Sequence, residues 1–113
     1  MCNREKLNVI LKEAYKGLEK IFEGKLEAVI LYGSYARGDY DEESDIDIMA
    51  LVDFDKSELA KYRRRVSELA GDIDIEYDVL LSVKLQDKFT FEKYKSALPY
   101  YMNVEREGVE IVA

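Results

Sequence analysis

Residues 26–52 read LEAVILYGSYARGDYDEESDIDIMALV, and this stretch decides the fold. It begins and ends with short aliphatic runs, Leu26 to Tyr32 and Ile46 to Val52, that are typical of buried strands. Between the two runs lies a segment rich in glycine and acidic residues, which favours a loop over a continued strand. The stretch therefore predicts two strands joined by a strongly acidic loop.

The segments on either side of this stretch show the spacing of helices. Apolar residues recur at three- and four-residue steps from about Arg4 to Phe22, which predicts an amphipathic helix with Asn3 as its N-cap. On the other side, residues 55–58 (DKSE) resemble a capping box, so a second helix should follow and end near Gly71. Each strand is thus predicted to have a helix beside it in the chain.

The last forty residues predict one more strand, two short helices and an edge strand. Residues 73–83 form the longest alternating apolar and polar run in the chain, which predicts a strand with one acidic face. Residues 89–98 and 99–107 favour two helices separated at Pro99, and residues 109–112 a final edge strand. The whole order predicts one α/β (α+β) domain over residues 1–113, a small three- to four-stranded mixed sheet flanked by helices.

Composition excludes several classes of chemistry. The chain has 113 residues, 17 of them basic and 24 acidic, and no histidine. A histidine general base, the usual serine or cysteine triad and a histidine-ligated zinc site are therefore excluded. The sole cysteine, Cys2, has no partner for an intrachain disulfide, which favours a reducing cytoplasm. No apolar run approaches the ~20 residues of a membrane span, and no signal peptide is predicted.

The negative charge is concentrated in one segment. Residues 39–55 contain no lysine or arginine and eight acids: Asp39, Asp41, Glu42, Glu43, Asp45, Asp47, Asp53 and Asp55. Because the net charge of the chain is -7, the remaining residues are nearly neutral, which argues against direct nucleic-acid binding by a basic surface. The segment is either a solvated acidic loop or a binding site for a divalent cation.

Asp45 and Asp47 are the strongest candidates for ligands of such a cation. They are two residues apart at the start of a predicted strand, so their side chains leave the same face about 7 Å apart along the backbone. Mg²⁺ typically takes one or two carboxylates plus the phosphates of a substrate. The alternative is that Asp45 caps a turn and Asp47 is solvated.

A phosphate-binding turn is predicted just upstream. Gly33 and Ser34 follow the first strand, where a glycine lets the backbone approach a ligand and a hydroxyl can hold a phosphate oxygen. Arg37 can add a charged contact to phosphate. A plain tight turn, and an ion pair between Arg37 and the acidic loop, remain the alternatives.

These residues together resemble a known family. GSYARG at residues 33–38 followed by SDIDI at residues 44–48 is similar to the signature of the nucleotidyltransferase superfamily typified by DNA polymerase β, and the chain length to its minimal nucleotidyltransferases. The resemblance implies a nucleotidyltransferase fold. It also implies that Gly33 and Ser34 hold nucleotide phosphates, that Asp45 and Asp47 ligate Mg²⁺, with two ions expected, and that Arg37 supports the phosphate loop.

The family has a third carboxylate on a later strand, and the sequence offers three candidates. Asp74, Glu76 and Asp78 share one face of the predicted strand at residues 73–83. Asp78 is favoured as the third metal ligand or base, because the residues after it resemble the apolar strand end of the family. Glu76 is the second choice, and a simple solvated strand face is the alternative for each.

The resemblance also implies a function. Members of the minimal branch are often antitoxins that act on a small helical partner, a HEPN protein, so Mg²⁺-dependent transfer of AMP from ATP to a hydroxyl of such a protein is expected in the cytoplasm. The alternatives are a nucleotidyltransferase for a small hydroxylated molecule and a binding subunit without catalysis. The tyrosines near the C-terminus, Tyr94, Tyr100 and Tyr101, form either a partner surface or packing.

Overall fold

A computed structural model describes residues 3–41 and 43–111 of the chain. Predictions that involve Cys2, Glu42 or Val112 lie outside these residues. The elements follow in the order α1 (Arg4–Phe22), β1 (Leu26–Tyr32), α2 (Ser34–Arg37), β2 (Ile46–Val52), a 3₁₀ helix (Lys56–Tyr62), α3 (Arg63–Tyr77), β3 (Leu81–Asp87), α4 (Lys88–Tyr94), α5 (Pro99–Glu107) and β4 (Val109–Ile111).

The strands form one mixed sheet in the order β3-β2-β1-β4. β1 pairs with β2 and with β4 in antiparallel fashion, whereas β2 and β3 are parallel. Consequently β1 ends, and β2 and β3 begin, at the same end of the sheet, which we call the site end. The predicted fold class, a small mixed sheet flanked by helices, is confirmed.

Helix α1 has the predicted bounds and the predicted cap. The side chain of Asn3 accepts a hydrogen bond of 2.8 Å from the backbone amide of Lys6, which satisfies one amide of the first turn. The helix ends at Glu23, which adopts a left-handed conformation, and Gly24 follows. The apolar stripe of the helix is buried against the sheet: Ile10, Leu11, Ala14, Leu18 and Phe22.

The two faces of the sheet are covered differently. One face packs under α1 and α3 and is wholly aliphatic: Val29, Leu31, Ile46, Ile48, Ala50 and Val52. The other face carries Met49 and Leu51 of β2, which pack against Phe91 of α4 and Val104 of α5. Asp47 lies two residues before Met49 and four before Leu51 along β2, so its side chain belongs to this second face, at the site end.

The predicted strand at residues 73–83 is wrong over most of its length. Helix α3 passes through Gly71 and continues to Tyr77, and β3 begins only at Leu81. Of the alternating apolar residues only Ile73 is buried in the helix, while Ile75 is 85% exposed. Gly71 has no atom close to its missing Cβ position, so it lies on an open helix surface and does not end the helix.

The predicted capping box at residues 55–58 is also wrong. The side chain of Asp55 makes no capping hydrogen bond. Instead, the backbone carbonyl oxygen of Asp55 accepts a 2.8 Å bond from the backbone amide of Glu58. This bond opens a 3₁₀ helix, and the α-helix begins only at Arg63. Further on, the predicted pair of helices is confirmed as α4 and α5, and α5 begins at Pro99 as predicted, but α4 ends at Tyr94 and not at Leu98.

Candidate active site at the site end of the sheet

Gly33 forms the turn between β1 and α2. Its φ of 75° and ψ of -156° are essentially restricted to glycine. Its carbonyl oxygen accepts bonds of 3.1 Å from the amides of Ala36 and Arg37, which close the short helix. A Cβ at this position would lie 2.6 Å from Oδ2 of Asp47, so the absence of a side chain leaves room for that carboxylate.

Asp47 and Asp45 lie at the start of β2, beside this turn. Asp47 is half-buried and pairs across the ladder with Tyr32, whereas Asp45 is exposed. Burial raises the pKa of Asp47, the negative charge of Asp45 raises it further, and the guanidinium of Arg37 opposes the shift. Two carboxylates thus repel each other with one nearby cation as partial compensation, and a bound divalent cation would relieve this repulsion.

The acidic loop between α2 and β2 is held by short polar contacts. The amide of Asp41 donates to the Ser44 hydroxyl at 2.9 Å, and the amide of Glu43 donates to Oδ1 of Asp41 at 2.9 Å. The Ser44 hydroxyl also donates to Oδ1 of Asp41 at 3.2 Å. These bonds fix the backbone immediately before Asp45 and therefore set the start of β2.

Arg37 links the turn to α5. Its Nε lies 3.1 Å from Oδ2 of Asp39, and its Nη1 lies 3.4 Å from Oε2 of Glu107. The hydrogen bond to Asp39 is the main cause that raises the pKa of Arg37 above its ordinary value. The predicted alternative, an ion pair between Arg37 and the acidic loop, is therefore present. The same guanidinium also lies close enough to lower the pKa of Asp47.

Asp78 lies at the site end, but not on a strand. It follows α3 as a left-handed residue with φ of 52° and ψ of 54°, three residues before β3, and its side chain is exposed. Because β2 and β3 are parallel, the segments that contain Asp45 and Asp78 both enter the sheet at this end. Within residues 3–41 and 43–111, however, no three acidic side chains gather closely enough to surround one metal ion.

The other two carboxylates proposed for this segment belong to α3. Oδ1 of Asp74 accepts a 2.7 Å hydrogen bond from the amide of Leu81 and so attaches the end of α3 to the first residue of β3. Glu76 is exposed on the helix. The residue directly opposite Asp47 in the β2–β3 register is Ser82, which is uncharged.

Two tyrosines complete the site, and sequence reasoning did not place them there. The hydroxyls of Tyr100 and Tyr32 share a hydrogen bond of 3.0 Å, and their rings meet edge to face with centroids 6.0 Å apart. A cleft of about 360 Å³ runs beside them, lined by Tyr32, Gly33, Arg37, Tyr100, Asn103, Val104 and Glu107. Because Tyr32 directly precedes Gly33, the sequence alone could have indicated that Tyr32 lies near the turn. No sequence pattern predicts that α5 crosses this end of the sheet and brings Tyr100 to it.

The adjacent tyrosine has a different environment. The hydroxyl of Tyr101 donates to Oε1 of the buried Gln86 at 3.1 Å, and its ring meets Phe91 edge to face. Tyr101 therefore serves packing, as the sequence analysis allowed, whereas Tyr100 faces the cleft.

The sequence matches one protein family and also individual proteins with related names. The family described as "Nucleotidyltransferase domain" matches residues 11–109. A Methanocaldococcus jannaschii protein named as a candidate protein adenylyltransferase, MJ0141, is 38% identical over 104 residues, which are 90% of this chain and 95% of that protein.

Solved structures have a similar fold. A crystal structure of a candidate nucleotidyltransferase from Sulfolobus solfataricus superposes with a TM-score of 0.57 at 23% identity, covering 90% of this chain and 78% of that one. A crystal structure described as a toxin-antitoxin with AMP-PNP superposes with a TM-score of 0.54 at 27% identity, covering 88% of this chain and 70% of that one. In the part of the chain that the structure describes, no helix combines the length and the apolar character needed to cross a membrane.

Proposed function

Because the chain belongs to the nucleotidyltransferase domain family, we propose that it transfers AMP from ATP, with Mg²⁺, to a hydroxyl of a partner protein. The membership itself confirms the predicted fold and the predicted enzyme class, a nucleotidyltransferase. The nucleotide, the metal and the acceptor are the proposal.

The single observation that carries the proposal is the contact between Gly33 and Asp47. A turn that only glycine can adopt lies against a half-buried carboxylate, so closely that even a Cβ at Gly33 would clash with it. A phosphate held by the turn would therefore lie beside the carboxylate, where a cation is needed to offset two like charges. This juxtaposition is what transfer of a nucleotidyl group requires.

Each residue of the site has a proposed role. The backbone at Gly33 and the hydroxyl of Ser34 would hold the phosphates that leave as pyrophosphate, and Arg37 would fix the turn through its pairs with Asp39 and Glu107. Asp45 and Asp47 would hold Mg²⁺, with two ions expected. When bound, Mg²⁺ neutralises triphosphate charge and lowers the pKa of the acceptor hydroxyl.

We propose Asp78 as the third carboxylate. It is exposed, it enters the sheet at the same end as Asp45, and no described hydrogen bond or ion pair occupies its carboxylate. Asp74 is less suitable because its carboxylate holds the amide of Leu81, and Glu76 remains the second choice.

The names of the matched proteins favour a protein acceptor. One relative is named as a candidate protein adenylyltransferase, and one solved structure is a toxin-antitoxin with AMP-PNP. We extend both features to this chain and propose that it is the antitoxin of a pair, acting on a small helical partner of HEPN type in the cytoplasm. An external acceptor must be held in place for efficient transfer, and a docked partner would supply that positioning.

Intact-mass analysis of the partner tests the proposal. The chain would be co-expressed with the small helical protein encoded by the adjacent reading frame, which we expect to contain an RxxxxxH-like motif. The partner should gain about 329 Da per transferred AMP and lose its toxicity. The Asp45→Asn/Asp47→Asn double variant, expressed in the same way, should bind the partner without changing its mass.

Two outcomes would contradict the proposal. A partner that is silenced without a mass shift, and equally well by the double variant, would show a binding subunit that needs no catalysis. Turnover of a small hydroxylated molecule with no protein partner would show the other alternative.

A further inference from the structure

We propose that Tyr100 is a self-adenylylation site: its hydroxyl, in the cleft beside Gly33, accepts AMP from the nucleotide bound in the same molecule. This inference rests on the proposed function, because the AMP donor is the ATP of the candidate active site. It adds an acceptor that belongs to the chain itself.

The position of Tyr100 follows from the sheet register. Tyr32 lies opposite Asp47 in the β1–β2 ladder, and the hydroxyl of Tyr100 lies 3.0 Å from that of Tyr32. The N-terminal turn of α5 therefore brings a phenol from the C-terminal part of the chain to the acid that is proposed to bind Mg²⁺. Pro99 opens that helix, which fixes the residue before Tyr100 at the first helical position.

The cleft gives this phenol access to a nucleotide. Gly33 and Arg37 of the phosphate-binding turn line one side, and Tyr100 and Asn103 of α5 line the other. Its volume of about 360 Å³ falls within the range of small-molecule sites, which is on the order of 300–1,000 Å³. Tyr100 is 41% exposed, so its ring borders the cleft and is not enclosed in the core.

The electrostatics agree with this geometry. Burial is the main cause that raises the pKa of both phenols, and the negative charge of Asp47 raises the pKa of each as well. The field of the carboxylate therefore reaches both hydroxyls.

The transfer is a balanced substitution at phosphorus. The Tyr100 phenol oxygen forms a bond to the α-phosphorus of ATP, and the bond between that phosphorus and the oxygen bridging to the β-phosphate breaks. Pyrophosphate leaves with the electron pair of the broken bond, and the phenolic proton passes to solvent. The product is a tyrosine phosphodiester of AMP.

Three other tyrosines, Tyr101, Tyr35 and Tyr32, are less suited to this reaction. The hydroxyl of Tyr101 is bonded to the buried Gln86, and Tyr35 is buried and stacked on Tyr40 with ring centroids 4.2 Å apart. Tyr32 shares the cleft, but its side chain is half-buried at the end of β1 and is less accessible than the exposed Tyr100. Tyr101→Phe is therefore a matched control, since it removes a neighbouring hydroxyl that faces away from the cleft.

The test uses the full chain alone with ATP and Mg²⁺. Intact mass should rise by about 329 Da, and peptide mapping should place the added mass on Tyr100. Tyr100→Phe should lower the modified fraction at least tenfold while its melting temperature stays close to that of the native chain. Tyr101→Phe should be modified like the native chain, and the Asp45→Asn/Asp47→Asn double variant should not be modified.

A mixing experiment tests whether the reaction occurs within one molecule. The initial rate per molecule should not depend on protein concentration, and a tagged double variant mixed with native chain should stay unmodified. Labelling of the tagged chain, or of a tyrosine other than Tyr100, would overturn the inference.

The inference and the proposed function fail in different ways. A native chain that binds ATP with Mg²⁺ and modifies its partner, but never gains mass itself, would refute self-adenylylation and leave the proposed function intact. A native chain that neither binds ATP nor transfers AMP to any acceptor would refute both.

Discussion

The two faces of β2 differ in the side chains that they present. Toward α1 and α3 the strand presents only aliphatic side chains, and Ile48, Ala50 and Val52 are completely buried. Toward α5 it presents Met49 and Leu51 in a small apolar cluster, and then Asp47 where that cluster ends. One strand thus supports the core with one face and holds a carboxylate beside the turn at Gly33 with the other.

This difference indicates how stability and chemistry are separated in a small protein. Burial on the first face contributes on the order of 1.5–3 kcal/mol per large aliphatic side chain, whereas burial of the Asp47 charge and its repulsion by Asp45 oppose folding. Substitutions on the first face should therefore alter stability, and substitutions at the site end should alter activity. The predictions below test that separation.

The largest effect is expected at Asp47. Asp47→Asn should lower AMP transfer about 10³-fold, equivalent to about 4 kcal/mol, because the variant loses a proposed ligand of the cation that would stabilise charge in the transition state. Initial rates measured by intact mass would check this. Asn keeps the size of the side chain, so a variant with near-native rates would show that the carboxylate is not part of the site.

The same variant should be slightly more stable without ligand. The pKa of Asp47 is raised in the folded state, so the folded protein holds this proton more tightly than the unfolded chain does. That stabilisation is complete below the ordinary Asp pKa of about 4 and is lost as the pH rises through the folded-state value. Thermal melts should show Asp47→Asn above the native chain at pH 7, with the difference shrinking toward pH 4.

Next in size is a change on the opposite face of the strand. Ile48→Ala removes a completely buried side chain and should cost about 3 kcal/mol of unfolding free energy, from lost burial plus a cavity. Urea denaturation would measure this, and the rate per folded molecule should stay close to native. A variant that keeps its stability but loses its activity would contradict the separation of the two faces.

A smaller loss of activity is expected at Asp78. Asp78→Asn should lower the transfer rate about 10²-fold, the lower range for a positioned acid or base, while leaving the fold unchanged. Asn also tolerates the left-handed conformation observed here, so its backbone should not be strained. Asp74→Asn is the matched control, because an amide oxygen can still accept the bond from Leu81. If Glu76→Gln is inactive and Asp78→Asn active, the third carboxylate is Glu76.

The smallest expected effect is the difference between alanine substitutions at two glycines. Gly33→Ala and Gly24→Ala both force a side chain into positive φ, at 75° and 86°, but only the first drives a Cβ against Asp47. We expect Gly33→Ala to cost about 2 kcal/mol more than Gly24→Ala in unfolding free energy or in ATP affinity. Equal effects on both measurements would show that Gly33 and Asp47 are not in close contact.

Local sequence patterns were sufficient to predict α1, β1 and β2. Helix α1 has a clear helical period, each of the two strands is a short aliphatic run, and the turn between the strands contains a glycine with a positive φ. Strand geometry also explains why Asp47 and Asp45 lie near each other at the beginning of β2, whereas their role as metal ligands stays a prediction.

The segment after β2 could not be predicted in the same way. The alternation at residues 73–83 favoured a strand, and Gly71 favoured the end of a helix. The buried and half-buried side chains of α3 nevertheless keep a helical period through Gly71: Val66, Leu69, Ala70, Ile73 and Tyr77. Tertiary packing of that stripe on the core outweighs the local pattern. The cleft at Tyr100 depends on where α5 crosses the sheet, which no local pattern encodes.

The most direct test of the central claim is calorimetric titration of ATP into the native chain and into Asp45→Asn and Asp47→Asn, with and without Mg²⁺. If the carboxylate pair and the turn at Gly33 form one nucleotide site, the native chain should bind ATP tightly only when Mg²⁺ is present, and each variant should lose that metal-dependent binding. An ATP affinity with Mg²⁺ that is unchanged in both variants would contradict the account.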